Sequence, residues 1–121
     1  MTDAKHIAKR YIATWNEQNA DRRAQLLRET WDAKAVYVDT MANVTGHDEI
    51  AALIGGVQQR FPGFVFTLLG TADGYGDYVR FSWSLGPAGA AAPVEGSDVV
   101  MMHKGRIAHV VGFLDKVPQA A

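Results

Sequence analysis

Apolar side chains recur every three or four positions in three segments of the first half of the chain. Each segment therefore predicts an amphipathic helix, and a polar stretch at 16–21 separates the first from the second. A short strand at 35–39 and a loop at 40–46 precede the third helix, at 49–61. The apolar positions of the three helices are Ala4, Ile7, Ala8, Tyr11 and Trp15, then Ala24, Leu27 and Trp31, then Ile50, Leu53, Ile54, Val57 and Phe61.

The pattern changes to strands after the Phe-Pro-Gly sequence at 61–63. Four segments rich in β-branched and aromatic residues, 64–73, 77–86, 93–103 and 106–115, are separated by turn-forming glycine and proline residues. Helices followed by a run of antiparallel strands predict an α+β fold. We expect all residues, 1–121, to form one domain.

The strands offer apolar side chains to both faces of the predicted sheet. Val79, Phe81 and Trp83 alternate with polar residues, but the last strand, "IAHVVGFL", is apolar on both sides. A sheet with one solvated face would show a polar face throughout. We therefore expect helices to cover one face and a second subunit to cover the other, which gives a homodimer through the sheet face.

Two carboxyl groups lie in apolar sequence. Asp39 ends the strand "AVYVD", and Asp98 shares a strand face with Val100 and Met102. Removal from water raises the pKa of a carboxyl group, so such residues are candidates for acid-base chemistry. The alternatives are a hydrated strand end for Asp39 and an exposed strand start for Asp98.

Composition excludes several classes of function. The net charge is −1 with scattered basic residues, so we expect no nucleic-acid partner, and no apolar run is long enough for a membrane span. The chain has no cysteine, which excludes thiol chemistry and fits a cytoplasmic protein. No two histidines have a metal-ligand spacing, so we expect no metal site.

Among the histidines, His109 is the one whose face of the sheet the sequence leaves undecided. His6, His47 and His103 fit the protein surface, whereas His109 lies within the last strand. A two-residue turn at Lys104-Gly105 would place it on the face of Asp98, and a bulged turn would reverse it.

Six motifs resemble the SnoaL-like members of the nuclear transport factor 2-like superfamily, over residues 3–117. They are "RYIATWN", "AVYVD", "TGHDEIAALI", "VRFSWSL", "GSDVV" and "GRIAHVVGFLD". The resemblance implies a cone-shaped α+β barrel in which three helices pack on a strongly curved mixed or antiparallel sheet. The namesakes of this group are polyketide cyclases.

Three positions also resemble those of the related ketosteroid isomerase. By that resemblance Asp39 is the general base, and Tyr11 and a protonated Asp98 hold the oxygen of the enolate. It implies a cofactor-free isomerase, cyclase or lyase that removes a proton next to the carbonyl of a small apolar ligand. The expected substrate contacts are Trp15, Tyr37, Phe61, Phe81, Trp83, Met102 and His109.

Two other interpretations remain open on this sequence. One is a non-catalytic module that binds a small ligand or forms a dimer on the same fold. The other is a collapsed cone without a cavity, filled by Trp15, Phe81, Trp83 and Met102. Tyr11 would then be an ordinary core tyrosine with a hydrogen-bonded hydroxyl group.

Overall fold

The computed structural model describes residues 3–118 and has the predicted α+β architecture. The helices are α1 (Ala4–Asn16), α2 (Ala20–Thr30) and α3 (His47–Arg60). The strands are β1 (Trp31–Val38), β2 (Asn43–Thr45), β3 (Phe64–Tyr75), β4 (Tyr78–Pro87), β5 (Val94–His103) and β6 (Arg106–Lys116). Helices α1 and α2 begin with side-chain caps, in which Asp3 accepts from the His6 N–H and Asn19 from the Arg22 N–H.

The six strands form one mixed sheet in the order β2-β1-β6-β5-β4-β3. All neighbours are antiparallel except β1 and β6, which run parallel. Register shifts interrupt three of the pairings, and such bulges bend a sheet. The sheet is curved but open, since β2 and β3 are its free edges, so the expected barrel is not closed.

Trp31 starts a strand, although its helical spacing predicts a place on α2. Its backbone pairs with Ile107 of β6, and its indole N–H donates to Thr14 Oγ1 over 3.4 Å. The buried ring also stacks on Tyr11 at a centroid distance of 5.4 Å. These long-range contacts outweigh local helical periodicity, and β1 is longer than the predicted strand at 35–39.

A bulge in β6 decides the position of His109. Lys104 and Gly105 form a two-residue turn with φ angles of 50° and 78°, as in the tight turns that suit a hairpin. However, Met102 pairs with Ile107 while Met101 pairs with His109, which leaves one extra residue in β6.

The extra residue is Ala108, and it turns the following side chains over. Val110 is buried in the core and Gly112 pairs with Asp98, so both lie on the inner face of the sheet. His109 therefore lies on the outer face, opposite Asp98. The turn has the predicted length, but the bulge reverses the face of His109, so this residue lies away from the Asp98 face on which a substrate contact was expected.

The outer face of the sheet carries polar and apolar side chains together. Val99 is 40% exposed and Phe113 is 55% exposed, whereas Ser97 on the same face donates to Asp115 Oδ2 over 2.6 Å. This is the surface at which the sequence predicts a second subunit. Among residues 3–118, no helix is long and apolar enough to cross a membrane.

Candidate active site

A cavity of about 240 Å³ opens between the helices and the inner face of the sheet. Its walls include both acids and the tyrosine singled out from the sequence, namely Asp39, Asp98 and Tyr11. Of the expected substrate contacts, the cavity is lined by Trp15, Tyr37, Phe61 and Trp83. The cone is therefore not filled by its own aromatic side chains.

Asp39 is held in a tight turn directly after β1. Its Oδ1 accepts the backbone N–H groups of Met41 and Ala42 over 2.7 Å and 2.8 Å, and its own N–H donates to the Ala42 carbonyl over 3.0 Å. Its Oδ2 accepts the hydroxyl of Tyr37 over 2.7 Å. The carboxylate is thus fixed at the cavity wall and is only partly exposed, so it is not a freely hydrated strand end.

Asp98 and Tyr11 form a buried pair in the same wall. Asp98 is 1% exposed and Tyr11 is 2% exposed, and the Tyr11 hydroxyl donates to Asp98 Oδ2. Burial raises the pKa of Asp98 from 3.8 to about 6, although the hydrogen bond from Tyr11 and the nearby indole of Trp83 oppose the rise. Burial and the neighbouring Asp98 also raise the pKa of Tyr11, so its phenol stays protonated and can donate.

The two tyrosine–aspartate pairs meet around Gly112 of β6. A Cβ atom built on Gly112 would lie 2.8 Å from Asp98 Oδ1, 3.4 Å from Asp39 Cβ and 3.6 Å from the Tyr37 hydroxyl. Tyr37 of β1, Asp39 in the turn after it and Asp98 of β5 therefore surround one point at which the chain has no side chain. Gly112 was not recognised from the sequence, where its sole signal is a glycine within the apolar run "HVVGFL".

Aromatic rings form a continuous wall beside these polar groups. Phe66 lies 5.4 Å from Trp15 and 5.3 Å from Trp83, centroid to centroid, and Trp15 lies 5.5 Å from Tyr37. Phe66 was not singled out because β3 carries apolar residues on both faces, so its pattern does not show which ones face a cavity. This wall leaves a site that is apolar apart from a small polar region.

Two expected substrate contacts on the inner face lie elsewhere. Phe81 is buried and packs edge-on against Tyr11 at 5.0 Å, so it supports that ring but does not line the cavity. Met102 lies at a separate small depression beside Ile7 and Arg10 of α1. Neither residue lines the cavity, and the reasons differ. Phe81 pairs with Asp98 but packs against the Tyr11 ring, whereas Met102 lies at the other depression.

The other residues that line the cavity lie in segments for which the sequence predicted no functional role. Arg60, in the last turn of α3, is the one basic residue among those that line the cavity, and no hydrogen bond or ion pair engages it within residues 3–118. Exposed apolar side chains also line the cavity. The remaining lining residues are Met41, Leu53, Val57, Leu85, Val94, Phe113, Leu114, Val117 and Pro118.

The polar groups of the cavity suit acid-base chemistry and ligand hydrogen bonding. Carboxyl, phenol and indole groups line it, whereas the described residues, 3–118, contain no group of three or more histidine or acidic side chains that could hold a metal ion. Neither phosphate-binding glycine loops nor nucleophile motifs occur in the sequence.

A family model for the SnoaL-like domain matches residues 8–110. The chain belongs to the SnoaL-like family. A proposed isomerase of this family from Agrobacterium tumefaciens is 43% identical, with a TM-score of 0.90 over 95% of this chain and 99% of that one. No curated protein is significantly similar to the chain.

More distant structures share the fold. A proposed ketosteroid isomerase from Kribbella flavida is 16% identical, with a TM-score of 0.71 over 98% of this chain and 82% of that one. A proposed polyketide cyclase from Sinorhizobium meliloti is 20% identical, with a TM-score of 0.70 over 88% of this chain and 93% of that one. The predicted membership of the SnoaL-like family is confirmed, and the likeness to ketosteroid isomerase-like proteins is confirmed for the fold alone.

Proposed function

We propose that this SnoaL-like protein is a cofactor-free enzyme that removes a proton from a carbon next to a carbonyl group. The observation that supports this most strongly is the meeting of two tyrosine–aspartate pairs around Gly112 in an otherwise apolar cavity. Ionisable groups with a shifted pKa, as for Asp98 and Tyr11 here, are typical of catalytic sites when they line one apolar cavity. The similar protein from Agrobacterium tumefaciens is itself a proposed isomerase, which fits this class of reaction.

In the proposed reaction Asp39 is the base. Its carboxylate takes the proton, the electrons of the C–H bond move to the carbonyl oxygen, and an enolate forms. The hydrogen bonds from Tyr37, Met41 and Ala42 hold the carboxylate in one position, which lowers the entropy cost of reaching the reactive geometry. Return of the proton to a different carbon gives an isomerisation.

Tyr11 and Asp98 would hold the enolate oxygen, with the Tyr11 hydroxyl turning its proton from Asp98 Oδ2 to that oxygen. Donors fixed in an apolar site stabilise developing negative charge strongly, because they need no reorganisation during the reaction. Asp98 can donate only when protonated, and with a pKa of about 6 its neutral form is the minor one at neutral pH. A ligand that fills the cavity removes further water from Asp98, which raises its pKa again.

The size of the cavity favours a small substrate. Ligand sites generally range from about 300 to about 1,000 Å³, and this cavity, at about 240 Å³, lies below that range. We therefore propose a small apolar carbonyl compound as the ligand. We also propose the cytoplasm as the location, consistent with a chain that uses no cysteine.

Hydrogen–deuterium exchange into small ketones tests the proposal and does not require the natural substrate. A panel of cyclic and aryl ketones is first screened for binding by saturation-transfer NMR. Bound ketones are then incubated with the protein in D2O, and loss of the α-proton signal is followed. We expect catalysed exchange in at least one bound ketone. Tight binding throughout the panel with no exchange would contradict the proposal and support the non-catalytic ligand-binding alternative.

A further inference from the structure

The tryptophan residues of this chain differ in what their indole N–H groups contact. Trp31, outside the cavity lining, donates to Thr14 Oγ1 over 3.4 Å. Trp15 and Trp83 are 5% and 8% exposed and line the cavity, yet within residues 3–118 neither Nε1 atom has a hydrogen-bond partner. Buried N–H groups are nearly always paired, so these two unpaired donors call for an explanation.

Both unpaired groups lie beside the polar part of the cavity. The Trp83 indole is close enough to Asp98 to oppose the rise in the pKa of that carboxyl group, and the Trp15 indole acts in the same way on the pKa of Tyr11. Neither contact has regular hydrogen-bond geometry, and Asp98 Oδ1 is also left without a partner among the described residues. Among the buried side chains that line the cavity, Trp15, Trp83 and Asp98 therefore have spare hydrogen-bonding capacity.

Packing limits how far the two indoles can turn away from this position. Trp83 lies over Gly96, where a Cβ atom would come within 2.3 Å of Trp83 Cζ2. Trp15 packs against Tyr37 and Phe66. The indole rings are consequently held at the cavity wall by the core, and a molecule that enters the cavity can bring acceptors to their N–H groups.

We propose that the indole N–H groups of Trp15 and Trp83 donate hydrogen bonds to oxygen atoms of the bound ligand, beside Tyr11 and Asp98. An indole N–H donates and does not accept, so the ligand atoms that face it are acceptors. An acceptor that enters the cavity recovers hydrogen bonds that the empty site lacks, whereas a hydrocarbon of the same shape does not. The role of these oxygen atoms in catalysis rests on the proposed function, but ligand binding by the two N–H groups does not.

Proton–nitrogen NMR of the indole groups tests this in the unmodified protein. The probes are p-cresol, which has a phenolic oxygen on a small apolar ring, and p-xylene, which has nearly the same shape without it. We expect p-cresol to move the indole protons of Trp15 and Trp83 downfield relative to p-xylene. The Trp31 signal is the internal control and should respond equally to both probes. Equal responses of all three signals to both probes would overturn the proposal.

Phenylalanine variants provide the second measurement. A phenylalanine ring is smaller than an indole, which changes the binding of both probes. The ratio of the p-xylene to the p-cresol dissociation constant removes most of this effect, because the two probes have nearly the same shape. We expect W15F and W83F each to reduce the wild-type preference for p-cresol at least threefold, with W31F as the matched control that leaves it unchanged. An unchanged preference in W15F and W83F, or no preference in the wild type, would contradict the proposal.

The exchange assay with ketones separates this inference from the proposed function. Indole shifts with p-cresol but no exchange with any bound ketone would support the N–H donors and contradict the enzyme. Exchange without indole shifts would support the enzyme and contradict the donors.

Discussion

Burial of the Asp98 carboxyl group makes the stability of the folded protein depend on pH. Because its pKa is about 6 in the folded chain and ordinarily 3.8, the folded state binds the proton more tightly than the unfolded state. Its contribution to stability is therefore most favourable below about pH 3.8. That contribution decreases as the pH rises towards 6 and is constant above it. The difference corresponds to about 3 kcal/mol.

The D98N variant should remove this dependence, because an amide does not titrate. We expect the free energy of unfolding of the wild type, relative to D98N, to fall by about 3 kcal/mol between about pH 3.5 and about pH 7. Urea unfolding at a series of pH values measures this difference. A difference that stays constant with pH would show that Asp98 titrates normally in the folded chain.

The same residue sets the expected pH dependence of activity. If neutral Asp98 donates to the enolate oxygen, kcat/KM for ketone exchange should decline above about pH 6, where Asp98 of the free protein ionises. The amide of D98N remains a donor at every pH, so the decline should be absent in that variant. Rate profiles of both proteins test this, and the same decline in D98N would assign it to another group.

Gly112 is the residue whose substitution should damage the site most selectively. In G112A the new Cβ would lie 2.8 Å from Asp98 Oδ1, so the carboxyl group has to shift from its position in the site. We expect ketone exchange to slow by about tenfold or more, since small displacements of reacting groups are costly.

Gly56 provides the matched control for that substitution. No atom lies within 4 Å of a Cβ built on Gly56, which is an exposed residue inside α3. G56A should leave exchange unchanged and increase stability by about 0.5 to about 1 kcal/mol. Exchange rates and urea unfolding are measured for both variants. Wild-type exchange in G112A would show that the arrangement around Gly112 does not matter for activity.

At the scale of elements, one buried arginine connects the three helices. Arg23 of α2 donates from Nη1 to the Glu17 carbonyl at the end of α1 over 2.8 Å and to Gln58 Oε1 of α3 over 2.9 Å. Gln58 in turn donates to the carbonyls of Trp15 and Glu17. These bonds fix α3, which supplies one side of the cavity, relative to α1, which supplies Tyr11.

We expect R23M to lower the free energy of unfolding by about 2 kcal/mol, because hydrogen bonds from a charged group are lost in a buried place. The adjacent Arg22 is the matched control. Its exposed ion pair with Glu17 at 3.3 Å should contribute less than about 1 kcal/mol, so R22M should have little effect. Urea unfolding distinguishes the two variants, and equal losses would show that the Arg23 bonds do not hold the helices together.

Element types were predictable from the sequence wherever one periodicity runs uninterrupted. The apolar face of α1 and the alternation of Val79, Phe81 and Trp83 in β4 fix both the elements and their buried sides. The face of His109 was not predictable, because the single extra residue Ala108 has no periodic signature of its own. Strand β2 has three residues and depends on pairing with β1, so no local pattern reveals it.

At the scale of the whole molecule, the candidate site was predictable only in part. Asp39 and Asp98 stand out as acids in apolar sequence, and resemblance to a family added Tyr11 and the roles of all three. Tyr37 was found through its alternation with Asp39. Gly112 joins the site because of the β5–β6 register, which no short segment encodes.

The association of whole molecules into a dimer through the outer sheet face remains a prediction. Val99 is 40% exposed on that face. If a second subunit covers it, V99K should convert a dimer to a monomer, because a lysine charge would be buried at the interface. Tyr75, 78% exposed near the β3–β4 turn, provides the control variant Y75K. Light scattering after size exclusion measures the mass, and a V99K dimer or a wild-type monomer would contradict the prediction.

The role of Asp39 is tested most directly by D39N. The measurement is the rate of hydrogen–deuterium exchange in a bound ketone, at saturating ketone, for wild type and D39N. An asparagine can keep the hydrogen bonds from Met41 and Ala42 but cannot take a proton from carbon. The proposed mechanism predicts a loss of about 10² to about 10⁴ in the exchange rate with unchanged ketone binding. An exchange rate in D39N equal to that of the wild type would contradict it.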